Sequence, residues 1–103
     1  MPGQYILDEN GNPVLETDLM KWGAWMEHRN LRSIASDTLP DGTLVSTIFL
    51  GFDHSWDAPP PVLWETMVFG GEHDQFQDRY SSLEDAKAGH AAALALAKGE
   101  MQA

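Results

Sequence analysis

The sequence predicts one domain of the α+β class, in which an antiparallel three-stranded meander carries an N-terminal hairpin segment and two helices. Residues 43–52 (TLVSTIFLGF) are rich in β-branched and aromatic side chains, which favour a strand. The turn sequence Leu-Pro-Asp-Gly at 39–42 precedes them and is typical of a hairpin. The serines at 81 and 82 each have an acid three residues later, a capping box that opens a helix. The 103 residues have room for one such domain, which we expect to span 1–103.

The N-terminal part is predicted to form a short hairpin followed by a helix. Residues 5–7 enter a turn at Asn10 and Gly11, two residue types that tolerate positive φ angles, and residues 13–15 form the return strand. Apolar side chains at 19, 22 and 26 recur at the i, i+3 and i+7 spacing of one helical face. We therefore expect a helix from about residue 18 to residue 28.

The meander is predicted to consist of residues 31–38, 43–52 and 62–69, because short connections favour antiparallel neighbours. Both faces of 43–52 are substantially apolar, which predicts an interior strand covered on both sides. The second helix is expected to run from the capping box to about Lys98, with Gly99 as its stop. Any sheet face that the helices leave open is expected to lie beneath the N-terminal segment.

Charge is the most unusual global property of the chain. Sixteen Asp and Glu face six Lys and Arg, which gives a formal net charge of -10. Such a chain is repelled by nucleic acid and by anionic membranes, so we expect no direct nucleic-acid partner and no membrane partner. The charge serves solubility in one interpretation. In the other, it attracts a basic protein surface, such as that of a host complex that binds nucleic acid.

No cofactor or metal is expected. Cys is absent, which excludes thiolate ligands and thiol nucleophiles and fits a reducing cytoplasm. No Gly-rich phosphate loop, nucleophile elbow or His-Glu-x-x-His motif occurs. An alternative is a small metal-dependent or acid/base enzyme. Its candidate side chains are His54, Glu65, His73 and His90.

Two of these side chains also have a simpler interpretation. Glu65 lies between apolar neighbours, so its carboxylate needs a cationic partner. The candidate partners are Arg79, Arg32 and Lys21. His90 lies on the apolar face of the second helix, which favours a partly buried imidazole that hydrogen-bonds a backbone group.

The segment after the predicted central strand is the candidate protein-binding surface. Its residues combine acids with aromatic rings: Asp53, His54, Trp56 and Asp57. The prolines at 59–61 stiffen the segment, so less entropy is lost when a partner orders it. Trp56 offers a large apolar contact, and the carboxylates would steer a basic partner. The alternative is that Trp56 folds back over the core and the acids only solvate the loop.

Several segments together resemble a family of short proteins encoded by bacteriophages and prophages. These segments are YILDENGNPV, DLMKWGAWME, VSTIFLGFDHSW, PPVLWETMVFGG and DRYSSLEDAKAGH, and they cover nearly the whole chain. The family has no established activity, so the resemblance assigns no functional residue. It implies a phage accessory protein or a minor virion component. Small acidic phage proteins include inhibitors of host defence, such as anti-CRISPR proteins, which is an association at the level of the class.

The leading functional hypothesis is a non-catalytic protein-binding module. In its concrete form, the protein inhibits a nucleic-acid-directed defence complex in the host cytoplasm, where its carboxylates compete with phosphates for basic side chains. The small enzyme described above is one alternative, and a virion or assembly component is the other.

Overall fold

A computed structural model describes residues 3–55 and 59–100. Within them the chain forms six strands and three helices, which confirms the α+β class. In chain order these are β1 (Tyr5–Leu7), β2 (Pro13–Leu15), α1 (Leu19–Met26), α2 (Arg29–Arg32), β3 (Ser33–Thr38), β4 (Leu44–Phe49), β5 (Trp64–Phe69), β6 (Gln77–Tyr80) and α3 (Leu83–Ala97).

The main sheet has four antiparallel strands in the order β3-β4-β5-β6, and β1 and β2 form a separate two-stranded hairpin. The described structure therefore has one strand more in its main sheet, and one helix more, than the three-stranded meander with two helices that we predicted. β6 carries little apolar signal because it is a short, mostly exposed edge strand, and its register is set by backbone pairing with β5. The one-turn helix α2 occupies the start of the segment that we predicted as strand 31–38, so β3 begins at Ser33.

The two faces of the sheet differ in how they are covered. Along β4, the side chains of Val45, Thr47 and Phe49 are buried, whereas those of Leu44, Ser46 and Ile48 are half-buried. We call the first side the covered face and the second the open face. The prediction that β4 is an interior strand is confirmed, but the prediction that both of its sides are covered was wrong. Helix α3 forms the layer on one side, and the apolar composition of a strand does not reveal whether a second layer exists.

Both hydrophobic clusters of the described chain are built on the covered face. One joins Val45 and Val68 to Ala93 of α3. The other centres on Phe49 and Trp64, and side chains of the N-terminal hairpin and of α1 pack against it. The N-terminal segment thus extends the layer formed by α3, because its aromatic and aliphatic side chains reach the same cluster. The prediction that it lies over the face left open by the helices was wrong.

Backbone hydrogen bonds join the N-terminal segment to the residues that follow β4, where the Asp53 N–H donates to the Gly3 oxygen at 2.9 Å. The Gly51 oxygen accepts a hydrogen bond from the Tyr5 N–H at 2.7 Å and another from Trp22 Nε1–H at 2.8 Å. Gly51 has a φ of 84°, and a Cβ atom there would collide with the Met26 thioether. The positive φ favours glycine at this position, and the missing Cβ lets the Met26 side chain of α1 lie directly on the backbone.

Helix α3 begins as the sequence predicted. The Ser82 hydroxyl accepts a hydrogen bond from the Asp85 N–H at 3.0 Å and caps the helix. The ring of Tyr80 lies against Gly89, where any side chain would overlap its hydroxyl, so the helix approaches the sheet closely. None of the described helices is long and apolar enough to cross a bilayer.

Candidate protein-binding surface

Asp53, the first residue of the predicted binding segment, uses its carboxylate inside its own loop. Its Oδ1 accepts hydrogen bonds from the Ser55 N–H at 2.7 Å and the Val62 N–H at 2.9 Å, and its Oδ2 accepts one from the Ser55 hydroxyl at 2.9 Å. Burial opposes ionisation, but these hydrogen bonds outweigh it and hold the pKa of Asp53 below its usual range. The carboxylate therefore closes the loop between β4 and β5.

His54 stacks on an exposed phenyl ring. Its ring centroid lies 4.3 Å from that of Phe52, and Nδ1 lies 3.0 Å from the Phe52 carbonyl oxygen, which can accept its proton. Together they form a small aromatic surface beside Asp53. Trp56 and Asp57 lie outside the described residues, so their role in binding remains a prediction.

The four side chains proposed for an enzyme lie apart. His54 lies beside the residues that precede β5, and His73 follows the end of the same strand. Glu65 projects from the open face, whereas His90 contacts the covered face. Among residues 3–55 and 59–100, no three or more His, Asp or Glu side chains converge into a group that could hold a metal ion.

A polar network that sequence reasoning missed crosses the covered face. His90 Nε2 lies 2.7 Å from Asp37 Oδ2, and His90 Nδ1 lies 2.7 Å from Thr47 Oγ1. The Thr47 hydroxyl in turn contacts the Thr66 hydroxyl at 2.5 Å. Asp, His and a hydroxyl in this order also occur in nucleophilic enzymes. Here both threonines are 0% exposed, so no substrate can reach the hydroxyls, and the network serves the interior.

One assignment of protons satisfies the whole network. With its proton on Nε2, the His90 imidazole donates to the Asp37 carboxylate and accepts the Thr47 hydroxyl proton at Nδ1. The Thr47 oxygen then accepts from Thr66. We expected His90 to bond a backbone group, and it bonds side chains of β3 and β4 instead. Nearby, burial raises the pKa of Tyr80, whose hydroxyl oxygen is buried beside α3.

Glu65 is held by the edge strand next to it. It pairs in register with Arg79 of β6, whose Nε–H donates to Glu65 Oε2 at 2.9 Å, and Gln77 Nε2 donates to the same oxygen at 2.8 Å. The predicted ion pair with Arg79 is confirmed. This carboxylate is 9% exposed and neutralised, so it contributes little to the surface charge.

Many of the other acids shape the backbone. Five aspartates each accept at least one hydrogen bond from a backbone N–H at a turn, in a loop or at a helix start. They are Asp8, Asp18, Asp41, Asp53 and Asp74. Hydrogen bonds from Thr43 lower the pKa of Asp41, for example. These aspartates are used in folding, yet their charge remains at or near the surface.

Cations compensate few of the carboxylates. In the part of the chain that the structure describes, only Glu65 lies within 4.0 Å of an Arg or Lys nitrogen, and only Asp37 lies that close to a His nitrogen. Five of the glutamates make neither an ion pair nor a side-chain hydrogen bond there. They are Glu9, Glu27, Glu72, Glu84 and Glu100. The described surface is therefore strongly negative.

The open face presents an apolar strip along the two central strands. Leu44 pairs with Phe69, and Ile48 and Met67 follow along the same face. Phe69 is 44% exposed, and the other three are half-buried. On one side, β3 adds only short polar side chains to this face. These are Ser33, Ser36 and Thr38.

Three acids lie in the turns next to one end of this strip, and we call them the acidic end: Asp41, Glu72 and Asp74. Asp41 accepts the Thr43 N–H at 2.9 Å, one residue before the strip begins on β4. Asp74 accepts the Gly70 N–H at 2.6 Å, one residue after the strip ends on β5. The C-terminus of α3 lies at the same end of the molecule, where its carbonyl groups add negative partial charge.

Comparison with known proteins assigns no family to this surface. No family model, curated protein or solved structure matches the chain.

Proposed function

We propose that the protein is a non-catalytic protein-binding module that presents carboxylates to a basic protein surface. One observation carries this proposal. The chain has sixteen acids against six Lys and Arg, and a single Arg–carboxylate ion pair forms within the described residues. The negative charge is thus left at the surface, where it can act on another molecule.

An uncompensated surface charge of this kind acts on a partner at long range, before the two molecules touch. A surface with one dominant sign accelerates encounter with an oppositely charged partner and discriminates against partners of the same sign. The effect falls with salt, because the Debye length is about 8 Å at physiological ionic strength. The carboxylates of the protein would occupy the Lys and Arg side chains with which a nucleic-acid-binding partner holds phosphates.

The resemblance to phage and prophage proteins supports a more specific form of the proposal. In that form the protein acts in the host cytoplasm as an inhibitor of a nucleic-acid-directed defence complex, in the manner of anti-CRISPR proteins. The segment with Asp53, His54, Trp56 and Asp57 is part of the proposed contact. Its aromatic pair, Phe52 and His54, adds apolar area beside the loop.

The test is an affinity pulldown from bacterial host lysate at low and high salt, followed by affinity measurements with the purified partner. One variant carries Gln in place of four glutamates that form no ion pair within the described residues. These are Glu9, Glu27, Glu72 and Glu84. We expect about tenfold weaker binding and a smaller dependence on salt, since exposed charges act mainly through long-range attraction. A matched control replaces Lys21 and Lys87 with Gln and should bind at least as tightly as the wild type. A partner that binds all three proteins equally at every salt concentration would overturn the proposal.

A further inference from the structure

We propose that the open face is the docking site for an amphipathic α-helix of the partner, whose apolar stripe covers the strip of Leu44, Ile48, Met67 and Phe69. The basic residues of that helix would contact the acidic end. This inference rests on the proposed function, because it names a second surface, besides the segment at 53–57, through which a basic partner is bound.

The first argument is the continuity of the apolar strip. Single exposed apolar side chains are normal on protein surfaces. Leu44 and Phe69 are directly opposite each other, where Cβ atoms lie about 4.5–5.5 Å apart. Met67 is a diagonal neighbour of both Leu44 and Ile48, about 7–8 Å away. The direct partners of Met67 and Ile48 are the polar residues Ser46 and Glu65. The four apolar side chains are therefore neighbours on one surface. Antiparallel sheets that face water usually carry polar side chains on that side, so an apolar strip there indicates a contact.

The second argument is shape. On β3 the open face carries Ser33, Ser36 and Thr38, which are short and let another backbone approach the strip from that side. The opposite face of the same sheet already carries α3, a helix of 15 residues that contacts all four strands. Within residues 3–55 and 59–100, α3 is the helix that packs on the two central strands, so the open face has room for a second helix.

The third argument is charge, which decides the kind of helix. The strip ends at Asp41, Glu72 and Asp74, and the carbonyl end of α3 lies beside them. One cation, Lys98, lines the same cavity as Asp41 and Glu72. A second copy of the chain would bring its own charge of -10 and be repelled. A helix with Lys and Arg beside its apolar stripe is complementary to both parts of the surface.

The experiment uses the full chain and a defined probe, the acetylated and amidated peptide LKKLLKLLKKLLKL, which places leucines on one helical face and lysines on the other. A control peptide has the same composition in an order without an apolar stripe. Binding to ¹⁵N-labelled protein is followed by amide chemical shifts and by fluorescence anisotropy. We expect the largest shift changes on β4 and β5, and clearly weaker binding of the control peptide.

A double variant, Met67→Ser with Phe69→Ser, should weaken binding of the probe about tenfold, because it removes the most exposed part of the strip. The matched control is Met20→Ser, since Met20 is 82% exposed on α1 and lies outside the strip. This control should bind as the wild type does. The shift map of the wild-type protein does not depend on whether the double variant folds.

The outcomes separate the two proposals. Salt-sensitive binding that maps away from β4 and β5, or that survives the double variant, would overturn the docking site and leave the acidic binding module intact. Failure to bind either the probe or any basic partner would overturn the proposed function itself. Sedimentation that reveals a dimer, which the double variant disrupts, would assign the face to a second copy and contradict the inference.

Discussion

The covered and open faces of one sheet show how neighbouring residues of a strand divide between folding and binding. Val45, Thr47 and Phe49 lie beneath α3 and the N-terminal segment, and they join either the hydrophobic clusters or the His90 network. Leu44 and Ile48 alternate with them on β4, yet remain half-buried. The difference comes from what packs above each face, because the two sets of side chains are similar in composition. Changes on the covered face should therefore cost stability, and changes on the open face should affect binding.

The largest effect is expected from Gly89→Ala. The new methyl group would overlap the Tyr80 hydroxyl and ring, so either that ring or the helix must move. We expect the free energy of unfolding to fall by about 2–3 kcal/mol, since a large overpacking cost outweighs the roughly 1 kcal/mol that Ala gains over Gly in a helix. Chemical denaturation measures this value. Gly23→Ala in α1 is the matched control, because nothing lies within 4 Å of its new atom, and it should leave stability unchanged or slightly raised.

The next effect concerns the polar network. Thr47→Val keeps the shape of the side chain but removes the hydroxyl that connects His90 with Thr66. Both partners are then left with an unsatisfied polar atom, so we expect a loss of about 2 kcal/mol in unfolding free energy. Thr38→Val, at an exposed position of β3, should change stability little. Equal stability of the two variants would show that the network does not hold α3 on the sheet.

Glu65 is an exception among the residues of the open face, because its side chain is buried and ion-paired. We therefore expect its pairing to affect stability. Arg79→Met leaves this buried carboxylate with Gln77 as its remaining hydrogen-bond donor in the structure. Because the Arg79 side chain is 40% exposed and solvent screens the pair, we expect a loss of only about 1–2 kcal/mol. Adding Glu65→Gln to Arg79→Met removes the unpaired charge and should recover part of the loss. Chemical denaturation measures both variants, and a double variant no more stable than Arg79→Met would contradict a buried carboxylate that depends on Arg79.

The smallest effect is expected from Asp53. Its pKa is lower in the folded protein than in the unfolded chain, so the carboxylate adds stability above its unfolded pKa of about 3.9. That contribution is lost as the pH falls through the folded pKa. Because solvent screens this group, we expect its contribution to the free energy of unfolding to be roughly a few tenths of a kcal/mol. Acid titration of Asp53→Ala against the wild type measures it, and identical acid transitions would contradict the hydrogen-bonded loop.

Strong local patterns allowed the centre of the fold to be predicted. The β-branched run in β4, the turn before it and the capping box of α3 each depend on residues that are close in sequence. β6 escaped prediction because an edge strand needs few apolar residues when its neighbour supplies the pairing. The His90 network escaped because its members are 43 and 53 residues from the histidine. The acids were interpreted as surface charge, and the structure adds that Asp53 also holds its own loop.

The most direct test of the central claim compares one variant from each face for both stability and binding. Thr47→Val represents the covered face, and Met67→Ser with Phe69→Ser represents the open face. We predict that Thr47→Val unfolds more easily but binds a basic amphipathic helix with the affinity of the wild type. The double variant should keep nearly the stability of the wild type and bind about tenfold more weakly. Loss of stability in both variants, with binding unchanged in both, would contradict the division of the sheet into a folding face and a binding face.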